Sequence, residues 1–329
     1  MLRRNGGKNI IEKKGCCSIL SKLSDQSVRS GQFIYSDQPA YHDKPIGIFD
    51  SGVGGLTVVR EIINTLPHEN IVYLGDTARV PYGVKSRDTV TKYAFQTTRF
   101  LLTQGVKVVI IACNTASAFA LSDVRGHFPL PCLGVIEPGV RVALEHTRNG
   151  RIGIIGTAGT ISSKAYINAM KALDPGVEMF SQPCPLFVPL VEEALIDHPV
   201  TYQVAAMYLE PLKQKRIDTL ILGCTHYPLL KKVISDIMGP SVTLVDSAVS
   251  ISLELQSILR HKEMSNPQEQ VGTRRFFVTD MPEQFQKLGK LFLQQTIFSV
   301  EHVDICSYNQ DYNSEEGESK HESWRTCQQ

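Results

Sequence analysis

The feature that most constrains the fold of this chain is a repeat of one pattern in two successive segments. IGIFDSGVGGLT begins at Ile46, and the similar IGIIGTAGTISS begins at Ile152, 106 positions later. Cys113 in VVIIACNTASA and Cys224 in TLILGCTHYPLL lie 111 positions apart. Each cysteine follows a run of Val, Ile and Leu that is typical of a buried strand. The sequence therefore predicts two similar halves, each with a cysteine at the end of a strand.

Strand and helix patterns alternate through both halves. The predicted strands are IGIFD, NIVYLGD, KVVIIACN and PCLGVIEP in the first half, and RIGIIGT, DTLILGCT and VTLVDSA in the second. Helical patterns such as VVREIINTL, SRDTVTKYAFQTTRFLLTQG and SSKAYINAMKAL follow several of them. Glu137 and Asp246, 109 positions apart, are interpreted as closing matching apolar runs. Strands that are apolar on both faces and alternate with helices favour parallel sheets covered on each side.

The expected architecture is α/β, with two pseudo-symmetric lobes, each a mostly parallel sheet flanked by helices, and an active site in the cleft between them. The segment after position 246 adds one helix, one strand (RRFFVTD) and one helix, which is too little for a third domain. We therefore expect residues 45–140 plus 246–305 to form the first lobe and residues 141–245 the second. Residues 1–44 are expected to be a disordered N-terminal extension, and residues 306–329 a disordered polar tail.

Composition excludes several classes of function. The net charge of +1 offers no electrostatic basis for direct nucleic-acid binding or for an anionic membrane. Apolar runs fall short of the roughly 20 residues that span a bilayer, and Glu12, Lys13 and Lys14 interrupt any signal-peptide core. A cytoplasmic location is therefore expected, with the eight cysteines reduced. Because their spacing offers no CxxC pair and no His-rich partner cluster, no metal site is predicted. The sequence also indicates no electron-sink cofactor, so none is expected.

The turn DSGVGG follows a predicted strand and opens a predicted helix, which suits anion binding by backbone N–H groups. Its glycines do not match the G-x-G-x-x-G pattern of dinucleotide folds, so a small carboxylate fits better than a nucleotide. A tight turn without a ligand remains the alternative. Asp50 could orient a proton near Cys113, and an N-cap role for Asp50 or Ser51 competes with this interpretation.

The two cysteines are the stronger signal, because ligands bind at the carboxyl ends of strands in open α/β sheets. A single cysteine there is usually a small buried side chain. Two in equivalent positions, followed by Asn114 and Thr115 in one half and Thr225 in the other, favour a pair of thiols flanking one substrate carbon. That arrangement suits proton transfer by two bases.

His226 lies two residues after Cys224, so an extended backbone would place both side chains on the same side. It could favour the Cys224 thiolate, and a structural hydrogen bond is the alternative. The loop RVPYG follows the second strand and has turn chemistry. Backbone N–H groups of this loop, at Val80–Gly83, could line the same pocket, and a plain connecting loop is the competing interpretation.

These motifs together resemble a known family. DSGVGG, GDTARVPYG, ACNTASA, GVIEPG, GTAGT and GCTHYPLL stand in the order and spacing of glutamate racemases, in the cofactor-independent aspartate/glutamate racemase superfamily. The resemblance covers about Ile46 to residue 300. It implies interconversion of L- and D-glutamate without a cofactor, and a supply of D-glutamate for peptidoglycan. It also implies that Cys224 deprotonates L-glutamate while Cys113 reprotonates the opposite face, with roles exchanged for D-glutamate.

Further site residues are carried over from the resemblance. Asp50, His226 and Glu192 correspond to assisting residues, although Glu193 beside Glu192 leaves that assignment open. The implied substrate contacts, besides Asp50, His226 and the two cysteines, are Ser51, Pro81, Tyr82, Gly83, Asn114, Thr115, Thr157, Thr160 and Thr225.

Some questions stay open at the level of sequence. An aspartate or other amino-acid racemase is the alternative within the same superfamily, and a non-catalytic two-lobe protein that binds a small anion is the alternative from another class. The resemblance implies a homodimer. Regulation by a peptidoglycan precursor or binding to DNA gyrase, as in some family members, is a hypothesis motivated by the basic N-terminal extension.

Overall fold

The computed structural model describes residues 41–297 and 299–308. Most of the predicted N-terminal extension (1–40) and of the polar tail (309–329) lies outside the described residues, and so does the segment that motivates the regulatory hypothesis.

The first sheet has six strands, all paired in parallel, in the order β10-β9-β2-β1-β3-β4. Its strands are β1 (Ile46–Asp50), β2 (Ile71–Gly75), β3 (Val108–Ile111), β4 (Cys132–Gly134), β9 (Arg274–Val278) and β10 (Glu301–His302). The three central strands β1, β2 and β3 are buried along their whole length. That burial explains why they read as continuous apolar runs rather than as alternating patterns.

The second sheet has four parallel strands in the order β6-β5-β7-β8. Its strands are β5 (Arg151–Gly156), β6 (Glu178–Pro183), β7 (Thr219–Gly223) and β8 (Thr243–Asp246). The order β2-β1-β3-β4 in the first sheet is the same as β6-β5-β7-β8 in the second. The sequence repeat is thus a repeat of topology, and the predicted architecture of two parallel sheets flanked by helices is confirmed.

Eleven helices accompany the sheets in the described residues. They are α1 (Leu56–Thr65), α2 (Arg87–Thr103), α3 (Asn114–His127), α4 (Ile136–His146), α5 (Ala158–Ser162), α6 (Ala165–Leu173), α7 (Phe187–Glu192), α8 (Pro199–Gln214), α9 (Lys231–Met238), α10 (Ser247–His261) and α11 (Pro282–Leu293), with short 3-10 turns at Thr77–Arg79, Tyr82–Val84 and Tyr227–Leu230. The largest hydrophobic cluster contains residues of both sheets, among them Ile48 and Leu222, so apolar burial joins the two halves.

The fourth predicted strand is wrong in its second part. PCLGVIEP was expected to be one strand, but β4 ends at Gly134 and α4 begins at Ile136. Pro138 lies in the first turn of α4, where the missing N–H of proline costs no helical hydrogen bond. Glu137 is therefore helical and pairs with Arg125 (Nη1–Oε1 3.0 Å), whereas Asp246 ends β8. The two acidic residues are not equivalent.

Two other expectations differ from the structure. SSKAYINAMKAL was expected to be one helix, but α5 ends at Ser162 and α6 begins at Ala165, separated by Lys164 in the left-handed conformation at φ 57°. Strand β6 was not predicted, because this edge strand is only partly buried and so lacks an apolar run.

Candidate active site

The predicted site residues lie where each sheet reverses its strand order. In the first sheet β1 and β3 are neighbours, and β1 ends at Asp50 while Cys113 follows β3 by two residues. In the second sheet β5 and β7 are neighbours; Thr157 follows β5 and Cys224 follows β7. A crevice forms at such reversals outside the carboxyl ends of parallel strands. The repeat therefore places two equivalent sets of predicted site residues at the carboxyl ends of strands.

Cys113 is the residue immediately before α3, and its side chain is buried. Its Sγ lies 3.8 Å from Oγ of Ser51, which belongs to the turn after β1. The backbone N–H groups of Thr115 and Ala116 also face the sulfur and favour its ionised form. Burial nevertheless dominates, and together with the nearby Asp50 carboxylate it raises the pKa of Cys113 from 9.0 to about 12.

Asp50 is fully buried, and its carboxylate organises the turn after β1. Oδ2 accepts a hydrogen bond from the N–H of Gly52 at 3.1 Å, whereas Oδ1 has no hydrogen-bond partner among the described residues. The N-cap of α1 is Gly55 and makes no side-chain cap, so the competing N-cap interpretation of Asp50 and Ser51 is wrong. Burial raises the pKa of Asp50, with the charge of His226 acting in the opposite direction. A buried oxygen with no protein partner is suited to accept from a ligand.

Cys224 is buried and belongs to a chain of three side chains in the second half. Its Sγ lies 3.9 Å from Nδ1 of His226, and Nε2 of His226 lies 2.9 Å from Oε1 of Glu192. A carboxylate only accepts hydrogen bonds, so Nε2 carries a proton, and whenever the ring is neutral Nδ1 is an acceptor facing the thiol. This arrangement allows His226 to take a proton from Cys224.

The contact between His226 and Cys224 does not arise in the expected way. His226 has helical dihedral angles (φ −83°, ψ −30°) and precedes the 3-10 turn Tyr227–Leu230, so the backbone is not extended there. The turn, rather than strand alternation, brings the ring to the sulfur. Of the adjacent acidic residues, Glu192 is the one that reaches the ring, and Glu193 is exposed at the end of α7.

The two thiols are close enough to influence each other's ionisation. Burial is the main reason that the pKa of Cys224 is raised, and negative charge on Cys113, Asp50 or Glu192 raises it further. Since a second negative charge in one buried site is costly, the arrangement favours a single thiolate at a time. One ionised and one protonated thiol is the state that a two-base proton transfer requires.

Hydroxyl groups from both halves meet beside Cys113. Oγ1 of Thr115, at the start of α3, lies 2.9 Å from Oγ1 of Thr157 and 3.0 Å from Oγ1 of Thr160. Thr157 caps α5 by accepting from the N–H of Thr160 at 3.2 Å. The structure thus brings together the three threonines that the sequence predicted, and their hydroxyls offer hydrogen bonds to an anion or an ammonium group.

The loop RVPYG packs against the same threonines. A Cβ atom at Gly83 would lie 2.6 Å from Cβ of Thr157, so only glycine allows this approach. Tyr82 is buried, and its hydroxyl donates to the carboxylate of Asp76. Pro81, after a cis peptide bond, is exposed. Any contact of Tyr82 with a ligand would therefore use its ring or backbone rather than its hydroxyl group.

Gly54 and Thr57 join the turn after β1 to the segment that carries Cys224. Oγ1 of Thr57 lies 2.9 Å from the carbonyl oxygen of Thr225. A Cβ atom at Gly54 would lie 2.3 Å from Oγ1 of Thr225 and 2.5 Å from Nδ1 of His226. Gly54, the second glycine of DSGVGG, therefore permits close contact between the halves. The interpretation of this motif as an anion-binding turn did not include this packing role.

Sequence reasoning also missed Tyr166 and Ser247. The Tyr166 hydroxyl lies 2.8 Å from Nδ2 of Asn114 and 3.3 Å from Oγ of Ser247. Tyr166 is an apolar-face residue of α6, and nothing in the local pattern distinguishes it from an ordinary core tyrosine.

Among residues 41–297 and 299–308, no group of three or more His, Cys, Asp or Glu side chains could hold a metal ion. In the same residues no helix is long and apolar enough to cross a membrane.

Comparison with known proteins places this geometry in one family. Residues 46–251 match the family model described as Asp/Glu/hydantoin racemase. The chain is 51% identical to a glutamate racemase of Syntrophus aciditrophicus over 269 residues, which cover 82% of this chain and 99% of that protein. It is also 49% identical to a glutamate racemase of Geobacter metallireducens, covering 80% of this chain and 97% of that protein.

Solved structures give the same result. A glutamate racemase from Bacillus anthracis superposes with a TM-score of 0.77 at 42% identity, covering 79% of this chain and 97% of that chain. The glutamate racemase of Francisella tularensis, solved in complex with D-glutamate, gives a TM-score of 0.76 at 41% identity, covering 81% and 100%. The repeated sheets, the paired cysteines and these similarities together show that the chain belongs to the Asp/Glu/hydantoin racemase family and, within it, to the glutamate racemases.

Proposed function

We propose that this racemase interconverts L- and D-glutamate by two-base proton transfer at Cα, with Cys113 and Cys224 as the two bases. The observation that carries the proposal is the placement of one buried thiol at the equivalent edge of each sheet, close enough for their ionisations to interact. Each thiol has its own polar neighbour, Ser51 for Cys113 and His226 for Cys224. Opposed bases are what inversion at one carbon requires.

The proton balance of the proposed reaction closes within the pair of thiols. From L-glutamate, the Cys224 thiolate takes the proton of Cα, and the electron pair of the C–H bond stays on the carbon. The Cys113 thiol then gives its proton to the opposite face, which yields D-glutamate and a Cys113 thiolate. In the reverse direction the roles are exchanged, so no net proton is gained or lost by the enzyme.

The raised pKa values of both thiols mean that a thiolate must be generated at the moment of reaction. His226, held by Glu192, supports this step because its Nδ1 atom can accept the proton of Cys224. In the first half, the unpartnered Oδ1 of Asp50 is the matching acceptor near Cys113. General acid–base assistance of this kind contributes about 10²- to 10⁴-fold to a rate.

The remaining predicted residues surround the reacting carbon in this proposal. The hydroxyls of Thr115, Thr157 and Thr160 would bind the carboxylates of the substrate, and Asn114 its ammonium group. Preorganised donors that stabilise charge developing on the α-carboxylate supply much of the catalysis when no electron-sink cofactor takes part. Thr225, Tyr82 and Gly83 complete the wall of the site through their backbone.

Glutamate is favoured over aspartate as the substrate because the similarity to glutamate racemases extends over about four-fifths of the chain. The alternative, a non-catalytic anion-binding protein, would leave two buried thiols and a histidine–glutamate pair without a use.

In the same proposal the product, D-glutamate, serves peptidoglycan synthesis in the cytoplasm, and the enzyme is a homodimer. The proposal also assigns the lobes: residues 45–140 plus 246–305 form the first, and residues 141–245 form the second.

The experiment that tests the proposal is incubation of the purified protein with L-glutamate in D2O, followed by circular dichroism and proton NMR. We expect optical activity to decay, with deuterium at Cα of early D-glutamate and none in the remaining L-glutamate. Exchange of L-glutamate before inversion would contradict the two-base mechanism. Inversion of aspartate without inversion of glutamate would contradict the assigned substrate, and no inversion of either would favour the binding-protein alternative.

A further inference from the structure

Asn114, Tyr166 and Ser247 form a buried chain of hydrogen bonds that links the two halves next to Cys113. Tyr166 lies on α6, Ser247 begins α10, and Asn114 is the first residue of α3. Nδ2 of Asn114 lies 2.8 Å from the Tyr166 hydroxyl, and that hydroxyl lies 3.3 Å from Oγ of Ser247. Oγ of Ser247 lies 3.1 Å from the carbonyl oxygen of Leu222 on β7.

The carbonyl oxygen of Leu222, at the end of the chain, sets the direction of the hydrogen bonds that precede it. A carbonyl oxygen only accepts, so Ser247 uses its one proton on Leu222. Its oxygen is then the acceptor for the Tyr166 hydroxyl, which in turn has only lone pairs left for Asn114. The amide of Asn114 must therefore present its NH₂ group to Tyr166. Burial raises the pKa of Tyr166 to about 12, so the hydroxyl keeps its proton near neutral pH.

With its NH₂ group held by Tyr166, the Asn114 amide has its oxygen at the opposite end. Its Oδ1 atom is buried and has no hydrogen-bond partner among the described residues, and the residue as a whole is 3% exposed. An unmet buried acceptor costs free energy unless a ligand supplies a donor. Asn114 directly follows Cys113, so the donor would belong to a group bound at the reacting carbon.

We propose that Tyr166 and Ser247 are positioning residues, which fix the Asn114 amide so that its Oδ1 atom accepts a hydrogen bond from the α-ammonium group of the substrate. This inference rests on the proposed function, since it assigns the group that Oδ1 binds. Without this chain of hydrogen bonds, the Asn114 amide could rotate by half a turn and present its NH₂ group to the ammonium group. Both groups are donors, so no hydrogen bond would form between them. The two residues act only through Asn114 and need not contact the substrate.

The test uses Tyr166→Phe and Ser247→Ala in the full-length enzyme, with KM and kcat measured for L- and D-glutamate. Tyr166→Phe removes the acceptor of Nδ2. Ser247→Ala keeps the tyrosine but frees its proton, which can then be donated to Oδ1 of a turned amide. We expect each substitution to raise KM about tenfold for both enantiomers, the effect of roughly one hydrogen bond, with kcat changed less than about threefold.

Ser252→Ala is the matched control. Ser252 lies on α10 like Ser247, is also buried, and its hydroxyl donates to the carbonyl oxygen of Val249 at 2.8 Å, outside the chain. It should change the melting temperature about as much as Ser247→Ala does and leave KM unchanged. An unchanged KM in Ser247→Ala would overturn the inference even if Tyr166→Phe failed to fold. A wild-type enzyme that does not racemise glutamate would instead refute the proposed function, so the two failures are distinguishable.

Discussion

Nε2 of His226 lies 2.9 Å from Oε1 of Glu192, a residue 34 positions earlier in the chain. His226 is nearly buried and Glu192 is partly exposed, with relative side-chain exposures of 7% and 41%. The contact places a proton on Nε2, and Nδ1 then faces Sγ of Cys224 at 3.9 Å and Oγ1 of Thr225 at 3.5 Å. The orientation of the His226 ring, the proposed general base, is thus set by a residue on a separate helix, α7.

Replacing Glu192 with Gln should reduce kcat/KM about tenfold to 100-fold. The amide keeps the size of the carboxylate, but it can donate as well as accept, so it no longer selects one tautomer of His226. The expected decrease in kcat/KM is smaller than the full contribution of general acid–base catalysis, about 10²- to 10⁴-fold, because His226 itself is still present. The measurement is the rate of change in circular dichroism with either enantiomer.

Glu193→Gln is the control for this change, because Glu193 is the exposed neighbour at the end of α7. It should leave the kinetics unchanged. Equal effects of the two substitutions would mean that the negative charge of the region matters rather than the contact with His226.

Replacing either Cys113 or Cys224 with Ala should abolish racemisation, by at least about 10³-fold, while glutamate still binds. Each substitution removes one of the two proton-transfer groups, and neither sulfur is the main anchor of the substrate in the proposed site. Activity is measured by circular dichroism and binding by calorimetry. Substantial racemisation by either variant would refute the two-thiol mechanism.

Each half supplies its own control for these variants. Cys132 and Cys184 are buried like Cys113 and Cys224, and burial raises the pKa of both. Cys132→Ala and Cys184→Ala should lower the melting temperature and preserve activity, because a truncated core side chain leaves a small cavity.

Stability should depend on alkaline pH through Cys113. The pKa of this thiol is about 12 in the folded protein and 9.0 ordinarily, so the unfolded chain loses the proton first as the pH rises. Above pH 9 the folded state binds more protons than the unfolded state, and the free energy of unfolding must fall. Between pH 8 and pH 10 the contribution of this one thiol is about 1.4 kcal/mol.

Urea unfolding at the two pH values measures this effect. Cys113→Ala should show a smaller decrease from pH 8 to pH 10 than the wild type, since alanine has no proton to lose. An identical decrease in both proteins would show that the Cys113 thiol ionises as readily in the folded state as in the unfolded chain.

Gly54→Ala should lower kcat/KM about 100-fold. The new Cβ atom would overlap Oγ1 of Thr225 and the ring of His226, at 2.3 Å and 2.5 Å, so the segment that carries Cys224 must move. A displacement of about 1 Å in a reacting group costs on the order of 10²-fold in rate. Steady-state kinetics together with thermal unfolding separate this loss from a general failure to fold.

Gly126→Ala is the matched substitution in the same protein. Gly126 lies in α3, and a Cβ atom there would meet nothing within 4 Å. Activity should be retained, and the helix should be stabilised by about 0.5–1 kcal/mol. Loss of activity in Gly126→Ala would indicate that Gly→Ala changes act through backbone flexibility rather than through the overlap at Gly54.

The sequence was sufficient for most of the secondary structure and for the family. The runs VVII and TLILG form fully buried strands, β3 and β7. Burial on both faces gives such strands a continuous apolar pattern that can be recognised without knowing the neighbouring strands. The half-exposed β6 lacks that signature and was missed. The start of α4 at Ile136 is buried and apolar, and it was mistaken for strand because burial alone does not distinguish a strand from the first turn of a helix.

What the sequence alone determined is the repeat, the two cysteines at its equivalent positions, and the polar residues that follow each strand. Only the tertiary structure decided which of these side chains meet: Ser51 with Cys113, Glu192 rather than Glu193 with His226, and Tyr166 with Asn114. These partners lie 34 to 62 positions apart in the sequence. The physical reason is that hydrogen-bond contacts require positions within a few tenths of an ångström, and packing of the two halves sets those positions.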